Sequence, residues 1–237
     1  MLDIQNHAIF IADSHYPHHG EAFLHLLQAI EQNKIITNQL FLMGDNFDLL
    51  FGYNTYIQSF SKKAIRLIQR LSKRIDIYYL EGNHDFCLET LFPHVHIYAR
   101  HQQPLLANFS SSEGTQTVAL SHGDKYATGF AYNLYSWLLR KPLTLRLLEP
   151  FEKSIISKRM QKLSAKNICH DFKGFEQRVN KILAHYQNQK VDLVIEGHFH
   201  QAKTFGKYIS LPSLACQQQI ARAEEGHIVF MKIDDLF

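Results

Sequence analysis

The chain has 237 residues, of which 46% are hydrophobic, 20% charged and 12% aromatic, and its formal net charge at pH 7 is +3. High apolar content at low net charge excludes a disordered chain, and the lack of any apolar run of about 18 residues excludes a membrane-spanning helix. No basic and then apolar leader opens the sequence, so secretion is not expected; one large domain, or one domain with a small insert, is.

In chain order, the first third alternates between two periodicities. Residues 7–12 are an apolar run that stops at Asp13, and 21–32 carry Phe23, Leu24, Leu27 and Ile30 at helical spacing. Residues 40–43 form a second run ending at Gly44-Asp45. Residues 56–73 repeat the helical pattern, and 75–80 form a third run ending at Gly82-Asn83. Strand, helix, strand, helix, strand predicts parallel pairing. The runs at 96–99, 105–109 and 115–120 have no long helices between them and are expected to add strands of a second sheet. A helix with Phe175, Val179, Ile182 and Tyr186 precedes a buried-type run at 191–195, and strands at 208–211 and 227–232 close the chain. The expected fold is α/β: a two-sheet sandwich flanked by helices.

Chemistry-bearing residues sit just past these runs. Asp13-Ser14-His15 follows the first, Gly44-Asp45-Asn46-Phe47-Asp48 the second and Gly82-Asn83-His84-Asp85 the third. Ser121-His122-Gly123-Asp124 and Gly197-His198-Phe199-His200 follow two later runs. Ligands of open α/β sheets bind beyond the carboxyl ends of strands. Any one segment is a plausible turn, but five strand ends bearing Asp, Asn or His point to one metal centre. Asp13, His15, Asp45, Asn83, His122, His198 and His200 exceed the needs of one ion with open positions. They suit two divalent ions sharing a carboxylate, the arrangement that clamps both oxygens of a phosphoryl displacement. Oxygen and imidazole ligands without thiolate suit manganese, with iron or zinc as alternatives. The other histidines, among them His18, His19 and His170, show no partner pattern. Cys87, Cys169 and Cys216, odd in number and widely spaced, predict no disulfide framework and fit a reducing cytosol.

These five motifs resemble those of the calcineurin-like metallophosphoesterases, and the resemblance runs from Ile9 to about Thr204. It implies that Asp13, His15, Asp45 and His200 hold one ion, that Asp45, Asn83, His122 and His198 hold the other, and that Asp45 bridges. His84 would be catalytic, stabilising phosphoryl oxygens and protonating the leaving group. Asp48, Asp85 and Asp124 would orient the ligands.

Successive motifs are 32, 38, 39 and 76 residues apart, so roughly 40 residues are inserted before the last one. Residues 125–190 carry a net +9 against −6 for the rest of the chain. Their apolar residues recur at helical spacing as Leu134, Trp137 and Leu138; Leu143, Leu147, Leu148 and Phe151; and Ile155, Ile156, Met160 and Leu163, with Pro142 and Pro150 as punctuation. The expected organisation is a core of 1–124 and 190–237 with a basic amphipathic helical lid over 125–189. Such a lid beside a phosphate-cleaving site predicts an anionic, lipid-bearing substrate; the plainer alternative is a helical hairpin that only packs on the core. The insert is similar to that of the UDP-2,3-diacylglucosamine pyrophosphohydrolases of lipid A synthesis. That resemblance implies release of UMP and 2,3-diacylglucosamine 1-phosphate, with Arg159, Lys162, Ser164, Lys166 and Asn167 holding the substrate. Many members of that group carry Arg after the Gly-Asn pair, where this chain has His84. The alternatives are a phosphoesterase acting on soluble nucleotides or phosphoproteins, and a non-catalytic scaffold. A cytoplasmic protein in peripheral contact with the inner membrane is expected, and no nucleic-acid partner.

Overall fold

The structure, a computed structural model, describes residues 1–112, 114–126 and 129–236. The N-terminal third supplies β1 (Leu2–Ile4), β2 (Ile9–Ile11), α1 (Ala22–Glu31), β3 (Gln39–Leu42), β4 (Leu50–Phe51), α2 (Thr55–Phe60), α3 (Lys62–Leu71), β5 (Asp76–Leu80) and β6 (Asp85–Phe86). Next come β7 (His96–Tyr98), β8 (Leu105–Ser111) and β9 (Gly114–Ser121), then helices α4 (Phe130–Leu139), α5 (Pro142–Leu148), α6 (Glu152–Ser164) and α7 (Phe175–Tyr186). The chain closes with β10 (Leu193–Glu196), β11 (Lys203–Phe205), β12 (Tyr208–Ser210), α8 (Leu214–Gln217), β13 (Gln219–Glu224) and β14 (His227–Lys232).

Two six-stranded sheets form the centre, one ordered β14-β13-β2-β3-β5-β7 and the other β1-β8-β9-β10-β12-β11. Side chains alternate across each strand. Ile9 and Ile11 face α1, while Phe10 turns inward to stack on Phe41, with ring centroids 4.5 Å apart. Phe109, Leu120, Ile195 and Ile209 meet Phe10 and Phe41 from the second sheet. Helix α7 covers that sheet's outer face through Val179 and Ile182. The α/β sandwich flanked by helices is therefore as expected.

Two local expectations are corrected. The strand at 96–99 joins the first sheet, not the second: β7 runs parallel to β5, and His96 stacks on Tyr78 at 4.8 Å. Its connection lacks a helix, so the run carried no local mark of a parallel crossover. The helix expected over 56–73 is two helices, interrupted at the buried Ser61 (φ −114°).

Pro142 opens α5, and Pro150 lies in a short 3₁₀ turn before α6. Ile156, Met160 and Leu163, one face of α6, pack with Leu145 against Leu49, Phe51, Ile57 and Phe86 of the core. Of the segment 125–189, residues 127 and 128 lie outside the described residues. Among the described residues no helix is long and apolar enough to cross a membrane.

A carboxylate pins this helical segment to the core. Asn54, the N-cap of α2, makes no side-chain cap bond. Instead Glu152, buried at the start of α6, accepts from Ile57 N at 2.8 Å and from Tyr56 N at 3.3 Å. It thus satisfies two of the N–H groups that a helix start leaves orphaned. Glu152→Ala is expected to lower the urea-unfolding free energy by ~1–3 kcal/mol, the cost of stranding buried donors. Glu152→Gln, which keeps an acceptor, should lose less. Equal losses for the two variants would contradict the capping role.

Candidate metal centre

All seven predicted ligands lie at one rim, past the carboxyl ends of β2, β3, β5, β9 and β10. They form two groups. Asp13, His15 and His200 offer ligand atoms within 4.8 Å of one another, and so do Asp45, His122 and His198. Asn83 joins the second group, with Oδ1 3.3 Å from His122 Nε2. Asp45 lies where its charge acts on His15 of one group and on His122 and His198 of the other.

The backbone carries strain to achieve this. Asp13, His15, Asp45, His198 and His200 all have positive φ, between 46° and 67°. Such conformations cost about 1 kcal/mol or more each and persist where surroundings over-determine them. Glycines make the space: a Cβ on Gly44 would lie 2.4 Å from His122 Nδ1, and one on Gly82 would lie 2.2 Å from Asp45 Oδ1.

Three imidazoles are aimed by a bond behind the ring. His122 Nδ1 donates to the Met43 carbonyl at 2.9 Å and His200 Nδ1 to the Ile168 carbonyl at 3.1 Å. Their Nε2 atoms therefore face the carboxylates, 3.5 Å from Asp45 and 3.4 Å from Asp13. His84 Nδ1 donates to the Asp48 carbonyl at 2.6 Å, and its ring stands edge-on to His15 at 5.3 Å. Fixing one ring nitrogen to free the other is how metal-binding histidines are oriented.

The electrostatics fit a cation. Burial alone would raise the Asp13 and Asp45 carboxyls, but the surrounding imidazoles outweigh it and hold both low, so both are anions in a dry pocket. Burial pushes His15 down to about 3 and His198 down to about 4, leaving them neutral with lone pairs to give. Burial also opposes charge on His122, yet Asp45 and Asp13 hold it up at about 10, a proton sitting where the anions call for a cation. Asp13 Oδ1 is buried and makes no hydrogen bond among the described residues, with His200 Nε2 3.4 Å away. An orphaned carboxylate oxygen of this kind suits a divalent ion, and the donor set suits a first-row metal.

The three aspartates expected to orient ligands act on backbone and neighbours. Asp85 accepts from Asp45 N (3.0 Å), Asn46 N (2.7 Å), Gly82 N (2.9 Å) and the Tyr79 hydroxyl (2.6 Å), tying two metal loops together. Burial, with repulsion from Asp45, raises its carboxyl to about 6. Asp48 accepts from both the backbone N and Nδ1 of His18 at 2.8 Å. Asp124 pairs with Arg100 at 2.6 Å.

Two cavities open here. One, of about 240 Å³, is lined by five of the seven candidate ligands, His15, Asp45, Asn83, His198 and His200, together with His84, Lys166 and three residues the sequence left without a role: His19, His170 and Phe172. The other, of about 570 Å³, is lined by Leu49, Phe51, Phe86, Tyr135, Leu139, Leu145, Leu148, Ile155 and Ile156, with Arg159, Lys162 and Lys166 at its polar side. Asn83, His84 and Lys166 line both. Ser164 and Asn167 stand apart: the Ser164 hydroxyl donates to the Gln161 carbonyl, and Asn167 Oδ1 accepts from Cys169 N. His19 stands four residues past His15, a spacing that could have flagged it; Phe51 and Phe86 carried no local signal.

The cysteine expectation is corrected. Cys169 and Cys216 form a disulfide, although 47 residues separate them. The segment after α6 turns back against α8, and Cys216 Sγ ends 3.6 Å from His200 Nδ1. Cys87 is a free thiol, pushed up to about 12 by burial.

The profile of the calcineurin-like phosphoesterase family matches residues 7–202. A protein of Coxiella burnetii (strain RSA 331 / Henzerling II), named UDP-2,3-diacylglucosamine hydrolase, is 22% identical over 204 residues, 82% of this chain and 81% of its own. A protein of the same name from Histophilus somni (strain 2336) is 26% identical over 213 residues, 81% of this chain and 83% of its own. Among solved structures, a protein of unknown function from Aquifex aeolicus aligns with TM-score 0.43 at 15% identity, covering 89% of this chain and 91% of that one. A novel archaeal phosphodiesterase aligns with TM-score 0.44 at 10% identity, covering 94% and 98%.

Gly82→Ala forces a Cβ against both Asp45 Oδ1 and Asp45 N. Such overpacking costs ~1–3 kcal/mol. It should lower both the melting temperature and the divalent metal retained per chain after dialysis, and retention at the wild-type level would mean the loop is free to adjust.

Proposed function

The chain belongs to the calcineurin-like phosphoesterase family and is a metal-dependent hydrolase; from that premise we propose that it hydrolyses the pyrophosphate of UDP-2,3-diacylglucosamine, releasing UMP and 2,3-diacylglucosamine 1-phosphate. The observation that carries the reading is the join between the two cavities: Asn83, His84 and Lys166 line both the metal pocket and the apolar pocket beside it. A phosphate in the first would leave acyl chains in the second, whose volume suits a ligand site of roughly 300–1,000 Å³. The names of the relatives support the same substrate.

In this reading Asp13, His15, Asp45 and His200 would hold one ion, and Asp45, Asn83, His122 and His198 the other. Manganese is the first candidate, iron and zinc the alternatives. Bound ions would polarise the phosphoryl oxygens and bring water's acidity toward neutrality. The chain's own groups do the rest. His84, anchored through Nδ1, presents Nε2 to the reacting phosphate and gives a proton to the leaving oxygen. Lys166 meets the phosphates where the cavities join, and Arg159 and Lys162 hold the headgroup at the polar side of the apolar pocket. The helices α4–α6 act as a lid. Their exposed Trp137, Leu143, Leu147 and Phe151 lie among Lys141, Arg146 and Lys153, and such a face rests on an anionic bilayer, each basic residue contributing about 1 kcal/mol.

With manganese, the protein should turn over UDP-2,3-diacylglucosamine well above an unacylated UDP-sugar. Lys162→Ala should raise KM for the lipid while sparing bis(p-nitrophenyl) phosphate, Lys166→Ala should raise KM for both, and His84→Ala should lower kcat by about 10²–10⁴-fold. Equal turnover of acylated and unacylated sugars would remove the lipid and leave the phosphoesterase. Separately, the protein should sediment with phosphatidylglycerol-containing vesicles and not with neutral ones, and Trp137→Ser with Phe151→Ser should release it. Indifference to lipid charge would count against the bilayer contact.

A further inference from the structure

Two arginines, one near each end of the helical insert, reach under the metal pocket. Arg140, just after α4, donates from Nη2 to the Gly82 carbonyl at 2.7 Å. Its Nη1 lies 3.7 Å from the buried Glu81, and its guanidinium sits 4.9 Å over the Phe86 ring. Arg178, on α7, donates from Nη2 to the Gly123 carbonyl at 2.6 Å. The same nitrogen lies 3.5 Å from the buried Glu196, and the guanidinium sits 3.9 Å over the Phe199 ring.

The two contacts follow one plan. Gly82 precedes Asn83, Gly123 follows His122, and Glu196 is two residues before His198. Those three ligand candidates make up the second ion's set apart from the bridging Asp45. Each arginine therefore pairs with a carboxylate at the end of a strand that feeds this set, Glu196 closing β10 and Glu81 one residue past β5, and each holds a carbonyl beside one of its ligands. Gln103 links the halves, donating to the Glu81 carbonyl at 2.9 Å and accepting from His122 N at 2.8 Å. The first group is supported otherwise: Asp13 Oδ2 accepts from His198 N at 2.7 Å, and His200 leans on the Ile168 carbonyl.

We infer that Arg140 and Arg178 are positioning residues: anchored in the insert, they set the spacing of Asn83, His122 and His198 and so tune the affinity of the second metal ion. The inference rests on the two-ion reading. Guanidinium suits the task because one planar group serves a carbonyl and a carboxylate together while stacking on an aromatic ring, which a lysine does not.

The test compares Arg140→Met and Arg178→Met with wild type and His122→Ala, by manganese titration calorimetry and electron paramagnetic resonance. Wild type should bind two ions with a spin-coupled spectrum. Each methionine variant should bind one ion with unchanged affinity and the other with Kd raised about 10–100-fold, the usual effect of losing a ligand's support. At limiting manganese their spectra should match that of His122→Ala, and kcat should return as manganese is raised. Arg140→Lys and Arg178→Lys should fall between, and they decide the matter if a methionine variant does not fold. Unchanged affinity for both ions, or equal weakening of both, overturns the inference. A wild type that binds a single ion fails the two-ion reading itself, and this is seen before any variant is compared.

Discussion

Two carboxylates with almost no exposed surface, Asp13 and Asp45, are the constraint to which the rest of the molecule answers. An isolated buried anion is too costly to keep. The chain meets that cost by crowding His15, His122, His198 and His200 around the pair and by forcing five of the ligand candidates into left-handed backbone. Neither device stabilises a fold by itself. Together they hold negative charge and free imidazole lone pairs at fixed positions, which is the condition for binding divalent ions.

The strand ends explain why so much of this centre was legible in the sequence. A buried strand is a short apolar run, and the residues just past it are its neighbours in both sequence and space. Asp13, Asp45, Asn83, His122 and His198 could therefore be found one local segment at a time. What escaped depends on contacts between distant segments. Nothing near residue 96 tells which sheet β7 joins, and nothing near Cys169 announces Cys216. The apolar spacing of α6 was visible, but which of its residues meet Phe51 and Phe86 was not, because all its apolar positions look alike until a partner selects one face. Glu152, which no local pattern singled out, is buried as the cap of a helix about a hundred residues earlier.

The insert has two characters that its composition blends. Ile156, Met160 and Leu163 are spent on the core, whereas Trp137, Leu143, Leu147 and Phe151 remain in solvent. A hairpin that only packed on the core would have little cause to leave so many large apolar side chains outside. The basic residues divide in the same way, Arg140 and Arg178 reaching inward while Arg159, Lys162 and Lys166 line a cavity.

Topology accounts for the insert's position. β9 and β10 are parallel neighbours, so the chain leaving β9 must cross back before it can enter β10. It leaves from the rim where His122 stands, and it returns along the outer face of the sheet as α7 before delivering His198 to the same rim. Added length in this one crossover therefore begins at the metal pocket, and its helices line the apolar cavity beside that pocket. The same route brings Arg140 beneath Asn83 on the way out and Arg178 beneath His122 on the way back. A shift of the insert would thus be felt at the ligand loops through two short, charge-assisted bonds, whichever substrate prompts it.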